Sequence, residues 1–343
     1  MTDSRKVLVF GGAGFIGTNI CLSALSRGSE VVLFDDLSRP GVKGNLETIT
    51  KTGGDRVTAA IADIADREAV DRVFADHPDI GAVFHMAGQV AVTTSLADPR
   101  GDFEANLTGT LNILESLRLS GGKAPLVFAS TNKVYGDLGD PVIEEGETRY
   151  VFRDYPDGIA EDMPLQFSTP YGCSKGAADQ YILDYARHFG LDTVVMRQSC
   201  IYGPNQFGAV DQGWIAWFTI AALLGKPITL YGNGKQVRDA LYVDDLIEAY
   251  WAAIDKIDSV RGEAFNIGGG AFNLSLLELL DKLGEILGKP VEVEAGPVRA
   301  GDQKVFICDN GKAARLLGWQ PTTPVDDGLR CLIEWVEANR DLI

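Results

Sequence analysis

Tyr171 and Lys175 stand four residues apart in the stretch Pro170-Tyr171-Gly172-Cys173-Ser174-Lys175. The run that follows, Gly176 to Tyr181, contains few helix breakers, so a helix is the natural expectation. On a helix, side chains at i and i+4 share a face. A free phenol titrates near pH ~10 and a free lysine near ~10.4. An ammonium beside the phenol favours the phenolate and draws it towards neutral pH. Such a pair can take a proton from an alcohol. The same spacing also occurs on ordinary solvated helix faces, so its meaning depends on what else the chain supplies.

A second constellation supplies a partner for that chemistry. Gly11-Gly12-Ala13-Gly14-Phe15-Ile16-Gly17 follows an apolar run and opens a helical one, in the pattern G-x-x-G-x-x-G. Glycines there permit a tight turn and close approach of a pyrophosphate to the backbone, and the helix start offers N–H donors. Gly11, Gly14, Phe15, Ile16 and Gly17 are therefore cofactor-binding candidates. The next strand ends at Asp35-Asp36, the distance at which a ribose-binding carboxylate is expected. A carboxylate accepts hydrogen bonds from the adenosine ribose and repels a 2′-phosphate, which favours NAD over NADP. Ser38 and Arg39 follow, and the arginine could in principle hold that phosphate. Asp63-Ile64 could meet the adenine, or could simply precede a helix cap. Ala87 and Gln89, in Met86-Ala87-Gly88-Gln89, would line the far side of the same crevice.

The elements that must position these residues alternate. Strands are expected over 7–10, 31–34, 57–61, 82–85, 126–129 and 193–196. Helices are expected over 15–27, 66–76, 103–119 and 171–189. Such alternation implies right-handed crossovers and an α/β fold with a doubly wound parallel sheet. After about residue 200 the pattern loosens, with short strands over 228–231 and 265–267 and helices over 244–257, 275–287 and 325–339. A cofactor domain over 1–200, completed by elements from about 240–270, and a smaller, discontinuous C-terminal substrate-binding lobe over 201–343 are expected.

The 343 residues include 48 acidic and 31 basic ones, a net charge of −17. That balance argues against general binding to nucleic acid or to an anionic membrane. No apolar run approaches ~18 residues, so no membrane-spanning helix is expected. The start shows no signal-peptide layout, and a cytoplasmic location is expected. Five scattered cysteines without a C-x-x-C fit a reduced compartment, and three distant histidines offer no metal-ligand spacing.

Beyond the fifth strand comes Ser130-Thr131-Asn132-Lys133-Val134-Tyr135-Gly136. Ligands in doubly wound sheets sit past the carboxyl ends of the strands, so this hydroxyl and the Tyr171 helix could converge on one alcohol. G-x-x-G-x-x-G, S-T-x-x-V-Y-G and Y-x-x-x-K in this order resemble the extended short-chain dehydrogenase/reductase family of nucleotide-sugar enzymes, which have a Rossmann fold. The resemblance extends through Tyr202-Gly203-Pro204, Arg238-Asp239, Tyr242-Val243-Asp244-Asp245 and Arg299-x-Gly301-Asp302. It implies that Thr131 and Tyr171 bind the reacting hydroxyl and that Tyr171 moves its proton. Lys175 would lower the tyrosine and hold the nicotinamide ribose, and Asn106 would steady the cofactor or serve as a buried structural amide. Asn132, Ser199, Arg238, Arg299 and Asp302 would meet the substrate, with Arg238 on its diphosphate.

Two departures narrow the resemblance. Sugar-nucleotide 4,6-dehydratases typically carry Asp-Glu where this chain has Asn132-Lys133, and an amide cannot supply the acid for elimination. Many relatives carry Asn where Cys200 stands. Ser130 to Gly136, Glu147-Thr148-Arg149-Tyr150, 170–180 and Asp211-Gln212-Gly213-Trp214 most resemble the tyvelose epimerase (CDP-paratose 2-epimerase) branch. That branch implies NAD-dependent inversion of C2 through a 2-keto sugar, on CDP-paratose or a related CDP- or GDP-hexose. A 4-epimerase or 4-reductase on the same scaffold is the alternative, and a silent NAD-binding regulator a further one. The apolar faces over 103–119 and 171–189 could join subunits of a homodimer or homotetramer, or simply cover the sheet. Trp214, Trp217 and Phe218 could pack a lobe or stack on a ligand.

Overall fold

The structure is a computed structural model and describes residues 5–139, 141–209, 212–298 and 303–343. Seven strands form one all-parallel sheet in the order Ala264–Ile267, Thr193–Gln198, Leu126–Thr131, Ile80–His85, Lys6–Phe10, Glu30–Asp35, Val57–Ile61. Central strands covered on both faces must be apolar throughout, which is why Val7, Leu8, Val9 and Phe10 are all fully buried. Side chains alternate across a strand. Val7 and Val9 accordingly join the core beneath the helices Phe15–Ser26 and Val243–Asp255, and Leu8 and Phe10 join the opposite core. That second core is closed by Arg67–Asp76, Gly109–Leu119 and Thr169–Phe189. The chain order reverses on either side of Lys6–Phe10, and this opens the crevice in which such sheets bind ligands.

Most boundaries fall within two residues of the sequence expectation. One element differs in kind. The helix expected over 103–119 is three pieces: Pro99–Phe103, a π-helical turn Glu104–Thr108, and Gly109–Leu119. The side-chain pattern of a π-turn differs from that of an α-helix by one residue, too little for periodicity to register. The helices Val42–Gly53, Val92–Ala97, Trp214–Leu224 and Gly311–Leu317 also lie outside the sequence reading. Trp214–Leu224 is apolar on nearly every face and carries no periodic signal.

The described residues beyond 200 share their cores with the first half of the chain. Tyr202, Trp251, Leu283 and Val336 pack in the same cluster as Val7 and Ile20. Val237–Asp239 pairs antiparallel with Asn273–Ser275 and parallel with Val305–Phe306. Val237, Val305 and Phe306 join Tyr135 and Phe152 in a third, smaller core that sits over the carboxyl end of strand Leu126–Thr131. Among the described residues no helix is long and apolar enough to cross a membrane.

Candidate active site

Thr131 is the last residue of its strand, and the chain turns there into the short 3₁₀ segment Asn132–Tyr135. Its hydroxyl accepts the Lys133 N–H at 3.2 Å and lies near enough to the Tyr171 phenol to favour the phenolate. Tyr171 lies in the first turn of Thr169–Phe189, a helix that carries Pro170 in that turn, where its missing N–H costs nothing, and that ends on Gly190 at φ 69°. Both residues are more than nine-tenths buried, and so is Lys175.

Electrostatics divide the pair. Burial pushes the Tyr171 phenol above its ordinary value; the Thr131 hydroxyl and the Arg39 guanidinium pull it back, and the Asp102 carboxylate opposes them. The cation that bears on the phenol here is Arg39, reaching across from the end of the second strand. Lys175 instead holds its Nζ 4.1 Å above the centre of the Phe128 ring, a cation–π contact. Burial lowers Lys175 to about 7, while Asp179 and Asp102 work against the shift.

Three residues that sequence reasoning passed over complete this wall. Asp102 is buried and accepts from Gln89 Nε2 at 2.8 Å, from Asn106 Nδ2 at 3.2 Å and from Ser174 Oγ at 2.5 Å. Ser174 also accepts from Asn106 Nδ2 at 3.0 Å. His85 meets Thr110 Oγ1 at 2.8 Å, and burial plus the Lys175 charge hold its pKa well below the ordinary histidine value, so it is neutral. The i, i+4 spacing of Asp102 and Asn106, and the position of Ser174 beside Lys175, were the available sequence signals. Gln89 faces Asp102 and its own turn through Ala91.

The glycine loop has the shape a dinucleotide needs. Gly11 sits at φ 75°, and a Cβ there would lie 2.6 Å from the Ala87 nitrogen, so the two sides of the crevice touch. A Cβ on Gly17 would lie 2.0 Å from the Gly11 carbonyl oxygen. A Cβ on Gly14 would meet nothing within 4 Å but the Gly11 oxygen at 3.2 Å, leaving room above the loop. No side chain caps helix Phe15–Ser26, so the first-turn N–H groups at Phe15, Ile16 and Gly17 lack a side-chain acceptor where a phosphate would bind. Asp35 accepts from Ala13 N at 3.0 Å and Leu37 N at 2.9 Å, which fixes its carboxylate against the loop. Burial raises its pKa and those backbone donors resist the rise.

Asp36 is turned to Ser38, accepting from its N–H at 3.0 Å and its hydroxyl at 2.8 Å. Exposed Asp63 accepts from Ala65 N at 2.8 Å. Ile64 is buried, and its Cδ1 would stand 2.5 Å from a Cβ on Gly109. On the opposite side, Asn106 Oδ1 is buried without a hydrogen-bond partner, at the position a Cβ on Gly88 would approach to 2.6 Å. Taken together, the loop, the fixed carboxylate and the orphaned acceptor fit a bound NAD.

The residues expected to meet the substrate are more distant in sequence. Asn132 is buried, with its Oδ1 3.4 Å from Thr131 Oγ1. Ser199 is buried beside Asp239. Arg238 is nine-tenths buried and donates to the Val237 carbonyl at 2.8 Å. Arg238, Lys133 and Trp214 all bear on the Cys200 thiol, whose pKa burial raises and these neighbours lower. Lys133 Nζ donates to Gln303 Oε1 at 2.8 Å, and Gln303 is tied to the Gly136 carbonyl at 2.6 Å. Arg299, Asp302 and Asp211 lie outside the described residues. Among the described residues no cluster of three or more His, Cys, Asp or Glu side chains is placed to hold a metal.

Residues 7–268 match the model of the NAD dependent epimerase/dehydratase family. The chain is 44% identical to a CDP-paratose 2-epimerase of Salmonella typhi, over 97% of this chain and 99% of that one. It is 32% identical to a UDP-glucose 4-epimerase of Mycolicibacterium smegmatis, over 96% and 98%. Among solved structures, a Thermus thermophilus UDP-glucose 4-epimerase in complex with NAD superposes with a TM-score of 0.81 at 33% identity, covering 98% of this chain and all of that one.

Proposed function

The chain belongs to the NAD dependent epimerase/dehydratase family, and on that premise we propose that it inverts C2 of a nucleotide-linked sugar through a 2-keto intermediate. It is an NAD-dependent nucleotide-sugar enzyme of that family. The proposed reaction converts CDP-paratose to CDP-tyvelose or acts on a related CDP- or GDP-hexose. The observation that carries the proton chemistry is the burial of Thr131, at the carboxyl end of its strand, and of Tyr171, in the first turn of its helix, near enough for the hydroxyl to favour the phenolate. The likeness over nearly the full length to a CDP-paratose 2-epimerase supports the choice of C2.

In this reading Thr131 and Tyr171 grip the C2 hydroxyl, and Tyr171 Oη removes its proton. NAD, when bound, supplies the reversible two-electron acceptor for C2. Lys175 holds the nicotinamide ribose, and Gly11, Gly14, Phe15, Ile16, Gly17 and Asp35 hold the pyrophosphate and adenosine. Ser38, Arg39, Asp63, Ile64, Ala87 and Asn106 border the same crevice. The planar keto sugar turns beside Asn132 and the Thr131 hydroxyl, C2 takes its hydride back on the other face, and Tyr171 returns the proton to the oxygen of the inverted centre. Arg238 pairs with the substrate diphosphate, and Ser199, Arg299 and Asp302 complete the substrate lobe. Asn132-Lys133 offers no acid for expelling a neighbouring hydroxyl, which favours epimerisation over dehydration.

Product NMR with CDP-paratose, CDP-glucose and GDP-mannose tests this. Inversion at C2 of the first is the expected result, and inversion at C4 would instead favour the 4-epimerase reading. A cytoplasmic homodimer or homotetramer is part of the proposal. Its supporting observation is the exposure of Phe103, Tyr181 and Phe189 on the outer helices. Light scattering of the wild type and of Tyr181→Glu would show whether that face joins subunits.

A further inference from the structure

The buried carboxylate of Asp102 has no part in the steps above, although it is only about 1% exposed. Two carboxylates influence Lys175, Asp179 and Asp102. Asp179 is already matched: Arg197 Nε and Nη2 each reach one of its oxygens at 3.0 Å, and Ser130 donates at 2.7 Å. The hydrogen bonds to Asp102 come from neutral donors, Gln89, Asn106 and Ser174. A carboxylate held by neutral donors keeps its full negative charge, and in a low-dielectric interior that charge acts on its neighbours.

We propose that Asp102 is a positioning residue that holds the helix of the pair through Ser174 and Asn106, and that its charge is the counter-charge of Lys175 and Tyr171, setting the pH range in which this pair works. The proposal rests on Tyr171 and Lys175 as the acid/base pair. Its geometry ties Asp102 to the same helix, because Ser174 both donates to Asp102 Oδ2 and precedes Lys175 in the chain. Removing one buried negative charge makes both neighbours release protons more readily, so both should titrate at lower pH.

The surrounding groups leave this role to Asp102. From the sheet, His85 is neutral and Arg197 is taken by Asp179. From the 3₁₀ turn, Lys133 is bonded to Gln303, and the Tyr135 hydroxyl donates to Asn266. Glu104 of the π-turn is exposed, and Glu115 and Arg118 pair at the far end of the helix. The segment Val92–Ala97 brings no titratable side chain. Arg39 faces Tyr171 from across the crevice and remains in every variant below.

Asp102→Asn keeps shape and can keep every bond. Its remaining oxygen accepts from Gln89 and Asn106, and its new N–H donates to Ser174, whose own proton can turn to the Tyr171 carbonyl, 3.2 Å away. The test measures kcat/KM against pH for wild type, Asp102→Asn and Ser174→Ala. Lysine ¹³Cε resonances are titrated alongside, with Lys175 assigned from its absence in Lys175→Arg. Asp102→Asn is expected to move both limbs of the profile, and the Lys175 midpoint, to lower pH by about one unit. Ser174→Ala, which keeps the charge, should lower the rate and leave the limbs in place. A slower Asp102→Asn enzyme with unmoved limbs and an unmoved Lys175 midpoint would overturn the proposal. Should Asp102→Asn fail to fold, Asp102→Ser, which leaves room for water, carries the same test. If no nucleotide sugar turns over, the epimerase reading fails, while the lysine titration still decides the role of Asp102.

Discussion

The loop Gly11 to Gly17 supplies most of one side of the cleft from seven consecutive residues and almost entirely from main-chain atoms. The proposed substrate side consists of Lys133, Cys200 and Arg238 with Gln303, which bonds to Lys133 across 170 positions of chain. The first side is therefore rigid in a particular sense: its donors belong to the backbone, and side-chain substitution can spoil them only by occupying their space. The second side is adjustable, because each donor is a side chain that one substitution removes. Such a division suits a scaffold that keeps one cofactor and changes substrates.

The largest effect should come from breaking the first side. Gly17→Val puts a Cβ 2.0 Å from the Gly11 carbonyl oxygen, so the loop and helix must separate. The purified variant is expected to carry no NAD and to show no turnover; retention of cofactor by extraction and absorbance would refute the main-chain account. Tyr171→Phe lies between the two sides and should touch neither. It is expected to keep NAD and lose about 10²–10⁴-fold in kcat, the usual worth of a positioned acid/base. Turnover near the wild-type rate would remove Tyr171 from its role.

The same contrast explains what the sequence disclosed. The glycine loop, Asp35 at the end of its strand and the Tyr171–Lys175 pair are local patterns, with their partners within about one element. The sheet was legible for the same reason, since buried parallel strands are continuous apolar runs. Asp102 and Ser174 are 72 positions apart, Asn106 and Ser174 are 68 apart, and neither pair forms a pattern until the fold is closed. The π-turn around Asn106 was hidden because a one-residue change in helical pitch leaves composition unchanged. Arg39 is legible in the sequence as a neighbour of Asp35, but its effect on Tyr171 depends on how the crevice folds.

A smaller effect should come from the substrate side. Arg238→Leu removes a buried guanidinium without touching the loop. KM for the nucleotide sugar is expected to rise about 10–100-fold, the equivalent of one or two charged hydrogen bonds, with NAD content unchanged. Loss of NAD in this variant would mean that the two sides are not separable.

Lys175 belongs to the cofactor side in the proposed function but stands apart in energy. In the unfolded chain it stays charged up to ~10.4, whereas in the folded chain burial lowers it to about 7. Its folded value is depressed, so the unfolded state binds more protons between those limits, and stability rises with pH across that window. Below about 7 the burial penalty is complete. Cofactor-free Lys175→Met should therefore be more stable than wild type at pH 7, by on the order of a few kcal/mol, and the gap should close near pH ~10. Urea unfolding at the two pH values measures this, and an equal gap at both would show that packing, not charge, separates the proteins.

The smallest effect concerns Cys200, where the adjustable side meets a backbone constraint. Its φ is 37°, in the left-handed region that costs most residues free energy and that asparagine enters more readily. Cys200→Asn should relieve part of that cost, raising stability by up to about 1 kcal/mol. It also places an amide among Arg238, Lys133 and Trp214, the groups that bear on the thiol. An amide there can donate to a phosphate oxygen, so KM should fall severalfold while kcat and NAD content hold. A rise in KM with unchanged stability would show that the thiol itself shapes the substrate side, and that its adjustability is narrower than the contrast with the glycine loop implies.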